Sequence, residues 1–547
     1  MATTSTASRE STELSRTIGF WGLTFVSLGS IIGSGWLLGA LNAAVVAGPA
    51  SLISWVLSAI ILTVLALIHA ELGTSYPVAG GTARYPYFAF GALAGFTAGW
   101  AAWLQSVAVA PIEVEASLSY LNSIHWVREN LNMLSSNGSL NGLGLAIASV
   151  FMLGFTTLNL LGAKLLSESN TLMVLWKAAV PVLAIVVIMS LSFHPSNFTA
   201  GGGFAPHGVH GIFMALPLGV VFALQGFEQA VQMAGEAKDP QRHLSRAIML
   251  AMAVGAVLYI LLEVCFVGGL EPANLVRGWD SPIGVGDYGP YYTLATTVGA
   301  GWLATILIID AFVSPAGTGM IYVGTSARLS YALGQEEVLP NQLTQVNRRG
   351  VPVYSILLAF VVGEIFFLPF PSWSKLVGII TSATAIMYAF APVSAAALRK
   401  RDPDRHRPYR MPWPAVLNPM GFCFANLIIY WSGFDVIWKL LGLIFVGRVL
   451  FEVAVRRADA NRTDIDWRAT SWIWPWLIGM TVISVLGRYG HGHNVLPDWV
   501  DLAVVIAFAL GVFYYAVDLA MSKEQVQAAI ASEDWRLPGE DEVRLTG

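Results

Sequence analysis

Charge is scarce in this chain: Asp, Glu, Lys and Arg together make up 12% of its 547 residues, whereas a soluble globular chain carries about 25%. A water-soluble body of this size would lack the polar surface it needs, so that class is excluded. Cysteine is nearly absent. Cys265 and Cys423 are the only two, each inside an apolar stretch, which rules out a disulfide framework and reads as packing. The sequence also lacks a Walker phosphate loop, an HExxH metal motif and a GxSxG nucleophile elbow. An ATP-driven pump needs a nucleotide site, and an enzyme needs a catalytic constellation. The sequence offers neither, so no catalytic residue, metal site or cofactor is expected. The polar pieces (an N-terminal arm, a loop near 400–413 and a tail after about 521) are too short for a soluble catalytic domain. The first 17 residues are Ser/Thr-rich without the short apolar region of a signal peptide, so the membrane segments are expected to remain in the mature chain.

What the chain does have is apolar length. Hydrophobic residues make up 55% of it, with a mean hydropathy of +0.63. They arrive in blocks of about 20, the length that crosses a hydrocarbon core as a helix. The blocks fall near 18–46, 50–73, 87–121, 141–160, 168–192, 211–234, 246–270, 291–318, 352–370, 375–399, 415–432, 434–455, 470–487 and 498–519. This predicts an all-α polytopic membrane protein of about fourteen transmembrane helices. With the N-terminus cytoplasmic, 23 of the 30 Lys and Arg residues lie in cytoplasmic segments. Arg128, Arg277, Lys375 and Arg488 lie outside, and Lys177, Lys439 and Arg448 within helices. The positive-inside rule therefore places both termini in the cytoplasm and the chain in the plasma membrane. Arg399, Lys400, Arg401, Arg405, Arg407 and Arg410 read as a topology signal, and a basic loop of this kind also attracts anionic lipid.

Two blocks carry residues that do not suit a continuous helix. The first contains Gly29, Ser30, Gly33, Ser34 and Gly35 at mid-membrane depth, and each glycine weakens a helix by about 1 kcal/mol relative to alanine. Freed backbone groups are tolerated in a bilayer only where they line a cavity or meet a partner. The amides of Gly33, Ser34 and Gly35 would start a second half-helix whose positive dipole end suits a carboxylate. A small-residue packing face is the other reading of the same glycines. The sixth block sets Gln225, Gly226 and Glu228 together in apolar surroundings, and an ionisable group there marks function by default. Interruptions in the first and sixth helices are the pointer to an inverted-repeat transporter with its site at the repeat interface. Amides of one break would hold the carboxylate of an α-amino acid and carbonyls of the other its ammonium.

The residues Phe222-Ala223-Leu224-Gln225-Gly226-Phe227-Glu228, then Gly235-Glu236, Lys238, Pro240 and Arg242, resemble the sixth-helix signature of the amino acid–polyamine–organocation transporters. Gly29–Gly35 resembles the first-helix signature of that superfamily, and Glu71, Tyr76-Pro77 and Gly80-Gly81 its second-helix exit. Gly301-Trp302, Asp310-Ala311, Ser314-Pro315, Pro369-Phe370-Pro371-Ser372-Trp373, Tyr430-Trp431-Ser432-Gly433 and Gly490-His491-Gly492 are similar to the bacterial aspartate–proton symporter branch. The resemblance implies a five-plus-five inverted-repeat core with discontinuous helices 1 and 6. Its repeats would span 18–192 and 193–399, after a cytoplasmic arm at 1–17 and before four added helices at 400–520 and a tail at 521–547. It implies a carboxylate-binding element at Ser30, Gly33, Ser34 and Gly35, substrate contacts at Phe222, Leu224 and Gln225, and an aromatic gate at Phe227. It also implies proton-coupled uptake of amino acids, with acidic ones such as aspartate as candidates. Uncoupled exchange and amino-acid sensing are the rival functions of the same fold.

Lys177, two turns from either end of the fifth block, must snorkel, find an acceptor or lose its proton. It resembles the lysine that takes the place of sodium in proton-coupled members, which would bring it to a first-helix carbonyl near Gly29 or Ser30 and to Ser314. Glu113 and Glu115 point to different faces of one helix. Glu113, Glu228 and Asp310 join Lys177 and Ser314 as candidates for proton coupling. Thr381, Ser382 and Thr384 are candidate pocket residues, in a pocket lined by helices 1, 3, 6, 8 and 10. His69 reads as packing or capping, His491 and His493 as an interfacial pair, and Trp472, Trp474 and Trp476 as part of an interfacial belt. The expected partners are an amino acid, a proton and membrane lipids, with no nucleic acid.

Overall fold

The computed structural model describes residues 16–532 except 137, 162, 285–286, 336–338, 348–350, 369–371, 458–464 and 498, with no side-chain description for 163–171. Most of the N-terminal arm, the end of the tail and Pro369-Phe370-Pro371 thus lie outside the described residues. No β-strand occurs among the described residues, only isolated bridges such as Ile18–Ala237.

The first crossing is two half-helices, α1 (Phe20–Ile31) and α2 (Ser34–Ala47), and α3 (Ser51–Ser75) returns. A short α4 (Gly81–Phe90) precedes the third crossing, α5 (Ala92–Leu121). After α6 (His125–Asn130) come α7 (Gly142–Leu161) and α8 (Ala163–Leu191). The sixth crossing is assembled from α9 (Gly208–Ala215), a π-helical turn (Leu216–Val220), α10 (Val221–Leu224) and α11 (Glu228–Gln232). Next are α12 (Pro240–Gly269), α13 (Pro290–Thr297), α14 (Gly301–Gln335), α15 (Val353–Phe367) and α16 (Trp373–Arg401). The C-terminal part holds α17 (Pro414–Trp431), α18 (Phe434–Arg457), α19 (Trp467–Thr470), α20 (Ile473–Leu486), α21 (Val500–Leu519) and a short α22 (Lys523–Ala531). Ten of these stretches are long and apolar enough to span a membrane, Ser34–Ser75 counting as one, and Phe20–Ile31, Gly208–Leu224 and Val353–Phe367 are shorter apolar helices. With each broken helix counted once and α18 added, the order of these helices accommodates the fourteen expected spans among the described residues.

Two predicted spans need correction. The block at 87–121 is divided at Gly91, whose φ of 85° ends α4 and starts α5. The block at 291–318 holds two helices, α13 and the start of α14, and the eighth crossing runs on to Gln335. Hydropathy averages across short breaks, so neither division is visible to it. The separation at Ser432–Gly433 is present, with Gly433 at φ 84° between α17 and α18.

Helices α5 and α16 are buried along nearly their whole length, while α7, α8 and α21 bury a third to two-fifths of theirs. The uncovered faces are apolar: Leu172, Leu175, Val182 and Val186 on α8 are all exposed. Such a surface suits lipid. The basic segment around the end of α16 is in part folded inward, while Lys400 and Arg410 stay exposed. Arg399 makes a two-point pair with Glu71 of α3 at 2.7 and 2.6 Å, and the Met411 amide adds a third contact at 2.7 Å. Trp472 and Trp476 do not sit in an interfacial belt. Both are fully buried, stacking with Phe390, and the Trp476 indole donates to Asn426 at 2.7 Å.

Candidate functional site

The first break comprises Ile32 and Gly33, which leave helical geometry between α1 and α2. Several groups near it find partners from other parts of the fold. Lys177 Nζ, from α8, donates to the Gly29 carbonyl at 2.6 Å. The Tyr259 hydroxyl, from α12, donates to the Ile31 carbonyl at 2.8 Å. At the opposite end the Ser34 amide, at the start of α2, donates to Glu113 Oε2 at 2.8 Å, and the Ser34 hydroxyl to Oε1 at 3.1 Å. A carboxylate thus occupies the amide end where the dipole of a half-helix favours one, and it comes from α5 of the same chain.

The sixth break has its own acceptor. Gly226 adopts φ 126°, a conformation that L side chains rarely reach, and its amide donates to Glu228 Oε2 at 2.9 Å. Tyr388 from α16 donates to the same oxygen at 2.6 Å, and Tyr322 from α14 to Oε1 at 3.3 Å. The two breaks meet backbone to backbone. A Cβ at Gly226 would lie 2.8 Å from the Ile31 nitrogen and the Ser30 carbonyl carbon. Gly35 serves the same closeness one turn on, where a Cβ would meet Ala223 at 2.7 Å.

Between the breaks, α5 and α14 enclose a narrow cavity with about 280 Å³ of interatomic space. Ser30, Gly33, Gly35, Glu113, Phe222 and Gln225, of the predicted residues, line it. Ser34 reaches it through Glu113. Leu224 and Phe227 are not in its lining. Phe227 lies beyond the break, stacked on Tyr388 at 5.0 Å with His69 edge-on to both rings. The lining aromatic is Phe222, which meets Trp373 edge-on at 5.8 Å. Trp373 in turn donates to the Ser34 hydroxyl at 3.0 Å. Helices 1, 3, 6 and 8 supply the lining. The tenth touches the site through Trp373 and Tyr388, and Thr381, Ser382 and Thr384 stay outside the cavity.

Lys177 has Thr318 as its second partner, at 2.6 Å, instead of Ser314. The two positions share a face of α14 one turn apart, so spacing alone did not separate them. Ser314 donates to Asp310, whose carboxylate also accepts from Trp36 at 3.0 Å and Trp176 at 2.8 Å. Asp310 therefore ties α2, α8 and α14 together. Glu115 is fully buried on the other side of α5, and neither oxygen has a hydrogen-bond partner among the described residues. Gln105, Val109, Thr318 and Tyr322 complete much of the lining and were missed from sequence. The signal was present: Gln105, Val109 and Glu113 recur every fourth residue, as do Ser314, Thr318 and Tyr322.

With this geometry in place, the likeness to known proteins is informative. The family described as amino acid permease matches residues 18–449. The glutamate/serine transporter AimA of Bacillus subtilis (strain 168) is 35% identical over 535 residues, 97% of this chain and 98% of that protein. The aspartate-proton symporter of the same organism is 32% identical over 516 residues, 93% of this chain and 98% of its own. The aromatic amino acid transport protein AroP of Escherichia coli (strain K12) is 26% identical over 416 residues, 73% and 84% of the two chains.

Proposed function

The chain belongs to the amino acid permease family, and on that premise we propose that it is a secondary active transporter taking up amino acids by proton symport. The observation that carries this reading is the Ser34 amide bound to a carboxylate, facing across one cavity the break at Gly226. The substrate's α-carboxylate is the natural successor to Glu113 at that amide, and carbonyls of the sixth break take its ammonium. Protonated Glu113 accepts less strongly from Ser34, which frees the amide end for substrate. Proton and amino acid then enter together. Lys177 stands where a coupling cation would bridge α1 and α14, holding Gly29 and Thr318, so sodium is not required. Glu228 keeps the sixth break in shape, and Asp310 and Ser314 hold the scaffold against which the broken helices rock.

In this reading both termini face the cytoplasm of the plasma membrane, since that orientation leaves most Lys and Arg residues inside. The division into repeats at 18–192 and 193–399 follows the equivalent places of the two breaks. The names of two of these relatives, one for glutamate and serine and one for aspartate and protons, point to short polar side chains, acidic or hydroxylic. The test is uptake by the purified protein in liposomes. Accumulation should follow an inward proton gradient at zero sodium. Counterflow with no gradient-driven accumulation would establish an exchanger instead. Tight binding with negligible flux would establish a sensor, and sodium dependence at a fixed proton gradient would reject the role of Lys177.

A further inference from the structure

The cavity contains one polar group that the transport reading leaves unused. Gln225 is 4% exposed and lines the cavity, yet neither its amide oxygen nor its amide nitrogen has a hydrogen-bond partner among the described residues. Leaving a buried amide unpaired is costly, about 1–3 kcal/mol for each group. Such a group in the wall of an otherwise close-packed core signals a partner that arrives from outside. Its backbone explains the direction: Gln225 leaves α10 in extended geometry, with φ −70° and ψ 157°, at the point where the chain turns into the crossing with α1. Gln105 and Tyr322 line the same cavity from α5 and α14, alongside the apolar Val109 and Phe222.

We infer that Gln225, with Gln105, forms a side-chain subsite that selects a small neutral amino acid bearing a hydroxyl, of the serine type. This rests on the transport reading above and narrows it. A carboxamide donates and accepts at once, as a hydroxyl does, so the two satisfy each other in both directions. The lining contains no Lys, Arg or His, and its one carboxylate is Glu113. An acidic side chain would be buried there without a compensating cation, because Lys177 is already committed to Gly29 and Thr318. A site built to hydrogen-bond a hydroxyl rejects the analogue without it far more strongly than an apolar pocket discriminates by one methylene.

The experiment compares serine, alanine and aspartate by thermal shift and by competition for labelled uptake, using the full chain and its Gln225→Leu and Gln225→Met variants. Serine should bind at least about tenfold more tightly than alanine, and aspartate should compete poorly. Both variants should lose that tenfold preference, and a cooperative thermal unfolding transition near that of the wild-type chain reports a folded protein. Equal affinity for serine and alanine, or aspartate binding as tightly as serine, overturns the subsite and leaves amino acid transport standing. So does a serine preference that survives in the variants. If the wild-type chain binds none of the three, the transport reading fails and the subsite with it.

Discussion

The two helix breaks cross at one point, yet they are maintained in different ways. The sixth is closed by its own chain: Glu228 accepts the amide of Gly226 two residues earlier, and two tyrosines steady the carboxylate. Within the first, the Gly33 amide reaches only the Ile31 carbonyl, at 3.1 Å. The groups of that break are held by Glu113 from α5, Lys177 from α8 and Tyr259 from α12. A locally capped break can move as a unit. A break held by side chains of other helices responds when those helices shift or those side chains change charge. Under the proposed symport, the first break is the element expected to respond to protons and substrate, and the sixth the shaped partner it works against.

The sharpest way to break the comparison is Lys177→Met. It removes the cation from Gly29 and Thr318, and proton-driven accumulation should fall about 100-fold, toward the upper end of usual coupling between sites. Uptake in liposomes under an imposed proton gradient measures this, and an unchanged gradient response would contradict it. Next is Gly33→Leu, whose Cβ would lie 2.8 Å from Glu113 Oε1 and 3.0 Å from Thr318 Oγ1. Amino acid binding should be abolished while expression and thermal unfolding stay near wild type, so undiminished uptake would remove the carboxylate assignment. On the other break, Gly226→Ala adds a methyl against backbone at a positive φ. We expect a loss of about 2–3 kcal/mol of stability, read as a lowered melting temperature. Glu228→Gln weakens a cap without emptying it and should cost about 1–2 kcal/mol, with exchange kept within about threefold. If it instead abolishes proton coupling as Lys177→Met does, the two breaks are not functionally distinct. The smallest effect belongs to Asp310→Asn, away from both breaks, at about 1 kcal/mol with unchanged substrate affinity.

Much of the site was legible because its causes are local. Glycine and serine clustered at mid-membrane depth do not sustain a helix, and Lys177 and Glu113 stand out in apolar blocks because burying a lone charge is costly. Choices between residues one turn apart, or on two sides of a break, were chemically equivalent on paper. Lys177 meets Thr318 instead of Ser314, and Phe222 lines the cavity while Phe227 does not. Tryptophans 472 and 476 carried no local mark of being internal, since an indole suits a lipid interface as well as a core.

Amino-acid order by itself determined the solvent of this protein, the number of its crossings and the depth of its two interruptions. Those follow from transfer free energies and backbone propensities, which each segment carries alone. Only the tertiary structure decided that Glu113 would take the Ser34 amide, that Lys177 would reach Thr318, and that Gln225 would be left without a partner among the described residues. Such choices depend on how far each helix is rotated and shifted against its neighbours, and packing across the whole bundle sets that rotation.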